Sequence, residues 1–337
     1  MKIAVDAMGG DYAPSAIVRG AEAAVREGYA QVVLVGDEER IRPLLTTTSG
    51  IEIVHAPTSV EMDESPSVVL RKKKDSSINI AFTLHKSHHV QAVVSAGNSG
   101  AVMGFAIFTL GRLQGVDRPG IMTLNPTVKG AGTSFLLDAG GTVDCKPNNL
   151  VQFALMGNVF ARCVLGIAEP RIGVLSNGHE ETKGNELTRE THAILKKQTG
   201  INYAGYIEGT DMYNGNTDVV ITDGFVGNVA LKISEGVAEA ITGYLKERIR
   251  RSIRNRLGYL LLSDLIKELA RMVDYSEYGG APLLGIDGVC IICHGKSNER
   301  AIKNAVRMAS EFVNKNLTGH IKDAMEEYSS QNRTKER

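Results

Sequence analysis

Lys2-Ile-Ala-Val-Asp6-Ala-Met-Gly-Gly-Asp11 opens the chain, and its reading decides the fold. Ile3 to Val5 is a short apolar run without polar alternation, the pattern of a strand covered on both faces. The pair Gly9-Gly10 reads as a turn, and beyond Pro14 an alanine-rich helical pattern begins. Strand, glycine turn and helix is the unit from which parallel α/β sheets are built. Adjacent glycines let the backbone approach a ligand, and the first N–H groups of the helix point to the same place, outlining an anion site. Asp6 and Asp11 complicate it, because two carboxylates disfavour a bare anion and suit a ligand carrying donors, a lysine or a metal.

The same unit recurs outward from this opening. Apolar runs at 32–35, 51–54, 92–94, 121–124, 135–137, 172–175, 203–206, 219–221 and 289–292 read as further strands. Helical patterns fill most gaps, at 15–27, 66–86, 99–112, 149–163, 185–198, 227–256 and 297–317. The expectation is a doubly wound, largely parallel α/β sheet. No repeat, low-complexity tract or Pro/Gly-rich linker divides the 337 residues, so 1–322 is read as one domain and the polar 323–337 as a fraying tail.

Composition narrows the classes of function. Lys plus Arg equals Asp plus Glu at 38 each, so no overall field favours nucleic acid. Met1 leads straight into a strand and no run of about 18 apolar residues occurs, which predicts a cytoplasmic chain with neither signal peptide nor membrane span. Cys145, Cys163, Cys290 and Cys293 are too few and too irregular for a disulfide framework. Cys290-Ile-Ile-Cys293-His294 mimics a haem attachment motif, but it lies on a strand pattern and reads as buried cysteines.

In doubly wound sheets ligands bind where strands exit. Ser95-Ala-Gly97-Asn98-Ser99-Gly100 repeats the opening design, with Asn98 or Ser99 either capping a helix or cradling a phosphate. Ser176 to Glu186 carries Lys183 beside Gly184 and Asn185, suited to an anionic substrate. Thr222-Asp223-Gly224-Phe-Val-Gly227-Asn228 opens another helix, where Asn228 is either an N-cap or a donor to a developing oxyanion. Asp138-Ala-Gly-Gly-Thr142 adds an acid and a third glycine pair. No nucleophile elbow, Walker loop or dinucleotide fingerprint is present. Lys246, Arg248, Arg250, Arg251, Arg254 and Arg256 place six cations within eleven residues, ahead of an apolar stripe through Leu257, Leu261, Leu265 and Leu269. A core or dimer helix and a helix lying on anionic membrane both fit it.

With these residues in hand, the sequence closely resembles the bacterial acyl-carrier-protein:phosphate acyltransferases of phospholipid synthesis. Ile3-Ala-Val-Asp-Ala-Met-Gly-Gly-Asp11, Ser95-Ala-Gly-Asn-Ser-Gly-Ala101, Lys183-Gly-Asn-Glu-Leu187, Thr222-Asp-Gly-Phe-Val-Gly-Asn228 and Tyr275-Ser-Glu-Tyr-Gly-Gly280 carry the resemblance. Two departures stand out: Asp138-Ala-Gly-Gly-Thr142 lacks the family's usual asparagine, and Ser176 begins the loop that in the family begins with Asn.

The resemblance implies a fold similar to isocitrate and isopropylmalate dehydrogenases and to phosphotransacetylase. It also implies a homodimer and a helical projection, at about 235–280, that reaches the inner face of the membrane. The implied reaction is attack of inorganic phosphate on a fatty acyl-carrier protein, giving acyl phosphate for a downstream glycerol-3-phosphate acyltransferase, with neither cofactor nor metal. Lys183 and Asn228 are the expected catalytic pair. Gly9, Gly10, Gly97, Asn98, Ser99, Gly184, Asn185 and Gly227 are expected to line the phosphate, and Asp6, Asp11, Asp138 and Asp223 to organise the site. Arg250, Arg251, Arg254, Leu257, Leu260 and Leu261 are expected at the membrane. A phosphotransacetylase-like enzyme using acyl-coenzyme A is the alternative.

Overall fold

A computed structural model describes residues 1–129, 132–272 and 274–335. Residues 273, 336 and 337, the ends of the basic segment and of the polar tail, lie outside the described residues. Among the described residues eleven strands form one sheet: β1 (Lys2–Asp6), β2 (Gln31–Gly36), β3 (Ile51–His55), β4 (Ala92–Ser95), β5 (Gly120–Pro126), β6 (Thr133–Leu137), β7 (Arg171–Leu175), β8 (Asn202–Ile207), β9 (Val219–Ile221), β10 (Ala281–Leu284) and β11 (Cys290–Ile292). Their order is β3-β2-β1-β4-β11-β10-β5-β6-β9-β7-β8. Both faces of β1 are covered, as its unbroken apolar run requires. Ile3 and Val5 join one core with Ile17, Val18, Ile302 and Val306, while Ala4 joins another with Val33, Phe82, Val93 and Phe105.

The sheet is parallel at both ends and changes direction in the middle. β10 runs antiparallel to both β11 and β5, and β5 runs antiparallel to β6. In consequence β6, β9, β7 and β8 run opposite to β1, β2, β3, β4 and β11. Neighbouring strands also rotate by about 20–25° per step, so the six steps from β1 to β9 accumulate roughly 120–150°. β10 is the strand that the sequence pattern misses, since Pro282 just after Gly279-Gly280 reads as a turn.

Two helical expectations change. The 66–86 pattern is two helices, Pro66–Lys72 and Ser77–Lys86, and the break brings the Ser77 hydroxyl to Asp6. As far as Lys335 the polar tail is helical, and the helix Leu317–Lys335 buries Ile321, Met325 and Tyr328 against the body. The basic segment is a long helix, Gly224–Arg251, broken at Ser252 and followed by Ile253–Leu261 and Ser263–Met272. Gly224 and Gly227 are buried at its start, whereas Ile233, Val237, Ile241, Ile253, Leu257, Leu260 and Leu261 are exposed. Among the described residues none from 228 to 272 is buried.

Candidate active site

At the exits of β1 and β4 the organising group is Asp6. Its Oδ1 accepts from Ser77 Oγ at 2.6 Å and its Oδ2 from Ser95 Oγ at 2.7 Å. The Met8 N–H donates to it as well, at 3.2 Å. Burial raises its pKa against the lowering effect of Ser77, Ser95 and the Met8 and Gly9 amides. Gly97 donates its N–H to Ser95 Oγ at 3.1 Å, so Asp6, Ser95 and Gly97 form one chain of contacts beneath Gly9. Gly10 packs on Ala96 and the Gly295 carbonyl, and the Asp11 N–H donates to that carbonyl at 2.8 Å. Asp6 thus organises hydroxyls and amides of its own exit, and not Lys183.

Asn98 is the N-cap of the helix Ser99–Phe105. Its Oδ1 accepts from Ala101 N–H at 3.0 Å, and its Nδ2 donates to the carbonyls of Met62 and Glu64 at 2.9 and 3.0 Å. Both ends of its amide are occupied by protein. What this turn can offer an anion is the backbone around Gly97 and Ser99.

The exits of β6, β9 and β7 are neighbours in the sheet and form a second cluster. Asp138 is fully buried, and its carboxylate gathers four N–H donors: Ile121 at 2.9 Å, Gly140 at 3.2 Å, Gly141 at 2.8 Å and Thr142 at 2.6 Å. Burial pushes its pKa up to about 6, with the Gly141, Ile121, Thr142 and Gly140 amides opposing. Cys145, alongside, is pushed up to about 12 by burial and by the charge of Asp138, which makes it a poor nucleophile.

Asp223, not Asn228, caps the long helix, accepting from the Phe225 and Val226 N–H groups at 3.0 and 2.9 Å. Asn228 therefore lies one turn inside the helix and is exposed, next to the 138–142 loop. A Cβ built on Gly140 would lie 3.5 Å from Asn228 Cγ and 3.9 Å from its Nδ2. This close approach depends on Gly227, where a Cβ would fall 1.8 Å from the Asp138 carbonyl oxygen. An exposed amide beside a loop with a spare backbone surface can donate to an incoming oxygen, unlike a capping amide.

Lys183 follows β7 on a loop folded back on itself. Gly184 has φ +85°, and its N–H donates to Asn177 Oδ1 at 2.8 Å. The Lys183 N–H donates to the Glu180 carbonyl at 2.9 Å, and the Lys183 stem lies against Gly178. Asn185 caps the helix Glu186–Leu195 by accepting from Thr188 N–H at 2.9 Å. Among the described residues no carboxylate pairs with the Lys183 ammonium, which is half-buried. Asn177, Gly178 and Ser77 escape a reading of strand exits alone, because their roles are contacts to residues already singled out.

Arg250 and Arg251 end the long helix, and Arg254, Leu257, Leu260 and Leu261 lie on the next. Ile253, Leu257, Leu260 and Leu261 recur at i, i+4, i+7 and i+8, one exposed apolar face. Among the described residues no helix is long and apolar enough to cross a membrane, and no cluster of His, Cys, Asp and Glu could hold a metal.

Residues 1–319 match the family described as "Fatty acid synthesis protein". A protein of Geotalea daltonii called phosphate acyltransferase is 53% identical over 97% of this chain and 95% of its own length. One of the same description from Geobacter sulfurreducens is 53% identical over 97% and 94%. Among solved structures, a phosphotransacetylase from Streptococcus pyogenes superposes with a TM-score of 0.64 at 17% identity, over 93% of this chain and 94% of that one. A phosphotransacetylase from Staphylococcus aureus gives 0.59 at 14%, over 93% and 94%. These two bear on the fold, which is the doubly wound class expected. The chain belongs to the fatty acid synthesis protein family and, with relatives of this identity and coverage, is a phosphate acyltransferase.

Proposed function

We propose that the acyl donor is a long-chain fatty acyl-carrier protein and that the product is an acyl phosphate consumed by glycerol-3-phosphate acyltransferase. One observation supports the reading: β7 and β9 are parallel neighbours, so the loop of Lys183, whose ammonium meets no carboxylate among the described residues, and the helix start that carries the non-capping Asn228 leave the same edge of the sheet. Phosphate at neutral pH is already a nucleophile, so catalysis reduces to positioning it and stabilising charge. Lys183 holds the phosphate. A phosphate oxygen attacks the thioester carbonyl, and Asn228 Nδ2 donates to the oxyanion that forms. The C–S bond then breaks as the intermediate collapses, and the carrier leaves as its thiolate, which takes a proton from water. The turn at Gly97 and Ser99, with Gly9 and Gly10 beneath it, forms the opposite wall by virtue of the sheet's twist.

The exposed apolar line Val226, Val229, Ile233, Val237, Ile241 and Tyr244 along the long helix suits a second copy of the chain, making a homodimer. Leu257, Leu260 and Leu261, with Arg250, Arg251 and Arg254 behind them, suit the anionic inner face of the membrane. The acidic carrier would find the same cations attractive. Incubation with phosphate and either palmitoyl-carrier protein or palmitoyl-coenzyme A, followed by hydroxylamine trapping, tests the donor. Palmitoyl hydroxamate from the carrier ester is expected. Product from the coenzyme A ester alone would replace this donor with the alternative one.

A further inference from the structure

The loop that carries Lys183 is fastened from outside as well as from within. His179, four residues before the lysine, places Nδ1 3.1 Å from the Tyr206 carbonyl on β8 and Nε2 3.3 Å from Asp211 Oδ2. Asp211 is a rigid anchor. It is largely buried and also accepts from the Glu208 N–H at 2.8 Å and Asn214 Nδ2 at 2.6 Å. Both acceptors that His179 faces are oxygens without protons to give. A neutral imidazole has one N–H and can satisfy only one of them, whereas the imidazolium satisfies both. The loop of His179 also carries Glu180, Glu181 and Lys183, and Glu208 and Asp211 follow β8; Glu181 is paired with Lys196. Tyr206, whose carbonyl it meets, is stacked on His192 from the helix Glu186–Leu195.

We propose that His179 is a positioning residue: in its cationic form it clamps the Lys183 loop to β8 and to the turn after it, and so sets the affinity for phosphate. The proposal rests on the reading that Lys183 holds phosphate. It requires nothing of the reacting atoms, and His179 itself need not touch substrate.

The test is steady-state kinetics of the full chain by hydroxylamine trapping, with phosphate varied, for wild type, His179→Ala, His179→Arg, Asp211→Asn and Lys183→Ala. Melting curves establish folding for each. His179→Ala and Asp211→Asn are expected to raise KM for phosphate about tenfold with kcat within about twofold. His179→Arg, which keeps a cation and several donors, is expected to restore a low KM. A His179→Ala enzyme with wild-type KM, beside an impaired Lys183→Ala, overturns the clamp alone. Wild-type turnover in Lys183→Ala overturns the phosphate-holding role and the clamp with it.

Discussion

Gly227→Ala tests whether the contact between the 138–142 loop and the long helix is part of the catalytic geometry. An ideal Cβ at 227 falls 1.8 Å from the Asp138 carbonyl oxygen and 2.9 Å from Thr222 Cγ2. Reaching the 3.0 Å floor of real Cβ contacts requires a separation of roughly 1.2 Å. Neither partner yields easily: the loop is pinned by four N–H groups on the Asp138 carboxylate, and the helix start is pinned by its Asp223 cap. The shift is therefore passed to Asn228, one residue on. A displacement of about 1 Å at a reacting group costs on the order of 100-fold in turnover, and overpacking costs about 1–3 kcal/mol in stability. Trapped acyl hydroxamate measures the first and thermal melting the second. Gly236→Ala is the control on the same helix, because its Cβ would meet nothing within 4 Å. It is expected to gain about 0.5–1 kcal/mol with turnover unchanged. A folded Gly227→Ala enzyme with wild-type turnover would refute the reasoning.

Three further outcomes are expected. Lys183→Ala loses about 100-fold or more in turnover while its melting curve stays close to wild type, since among the described residues no carboxylate pairs with the half-buried ammonium; unchanged turnover contradicts this. Asp138, raised in the native state from 3.8 to about 6, binds more protons folded than unfolded between those values, so its contribution is full below about pH 4 and declines as pH rises to 6. The stability of wild type relative to Asp138→Asn should fall across that window by up to about 3 kcal/mol, measured by denaturant titration; a rise would contradict the sign. Leu260→Glu combined with Leu261→Glu should weaken binding to anionic vesicles in flotation while leaving the rate with soluble substrates within about twofold, Leu261 being 87% exposed; undiminished flotation removes these residues from the membrane surface.

Most of the fold is legible because the strands are apolar runs and the helices carry glycine or asparagine boundaries. The direction of the strands is not. A Val/Ile run covered on both faces looks the same parallel or antiparallel, so the reversals around β10 and β5 are invisible until pairing is known. The candidate site divides in the same way. Residue types at strand exits pick out Lys183, Asn228, Asn98 and Asp138, but they do not say which asparagine caps. Asn98 spends its amide on Ala101, Met62 and Glu64, whereas Asp223 takes the cap that would have occupied Asn228. Ser77 meets Asp6 across 71 residues of sequence, and His179 meets Asp211 across a whole helix and strand. Such pairings exist only once the sheet has formed.

The central claim is that the Lys183 and Asn228 edge is where phosphate binds. Titration calorimetry of inorganic phosphate into wild type, Lys183→Ala and Gly236→Ala measures it directly, since a Cβ at 236 meets nothing within 4 Å. Binding should be lost in Lys183→Ala and kept in Gly236→Ala. Wild-type affinity in a folded Lys183→Ala protein would contradict the account.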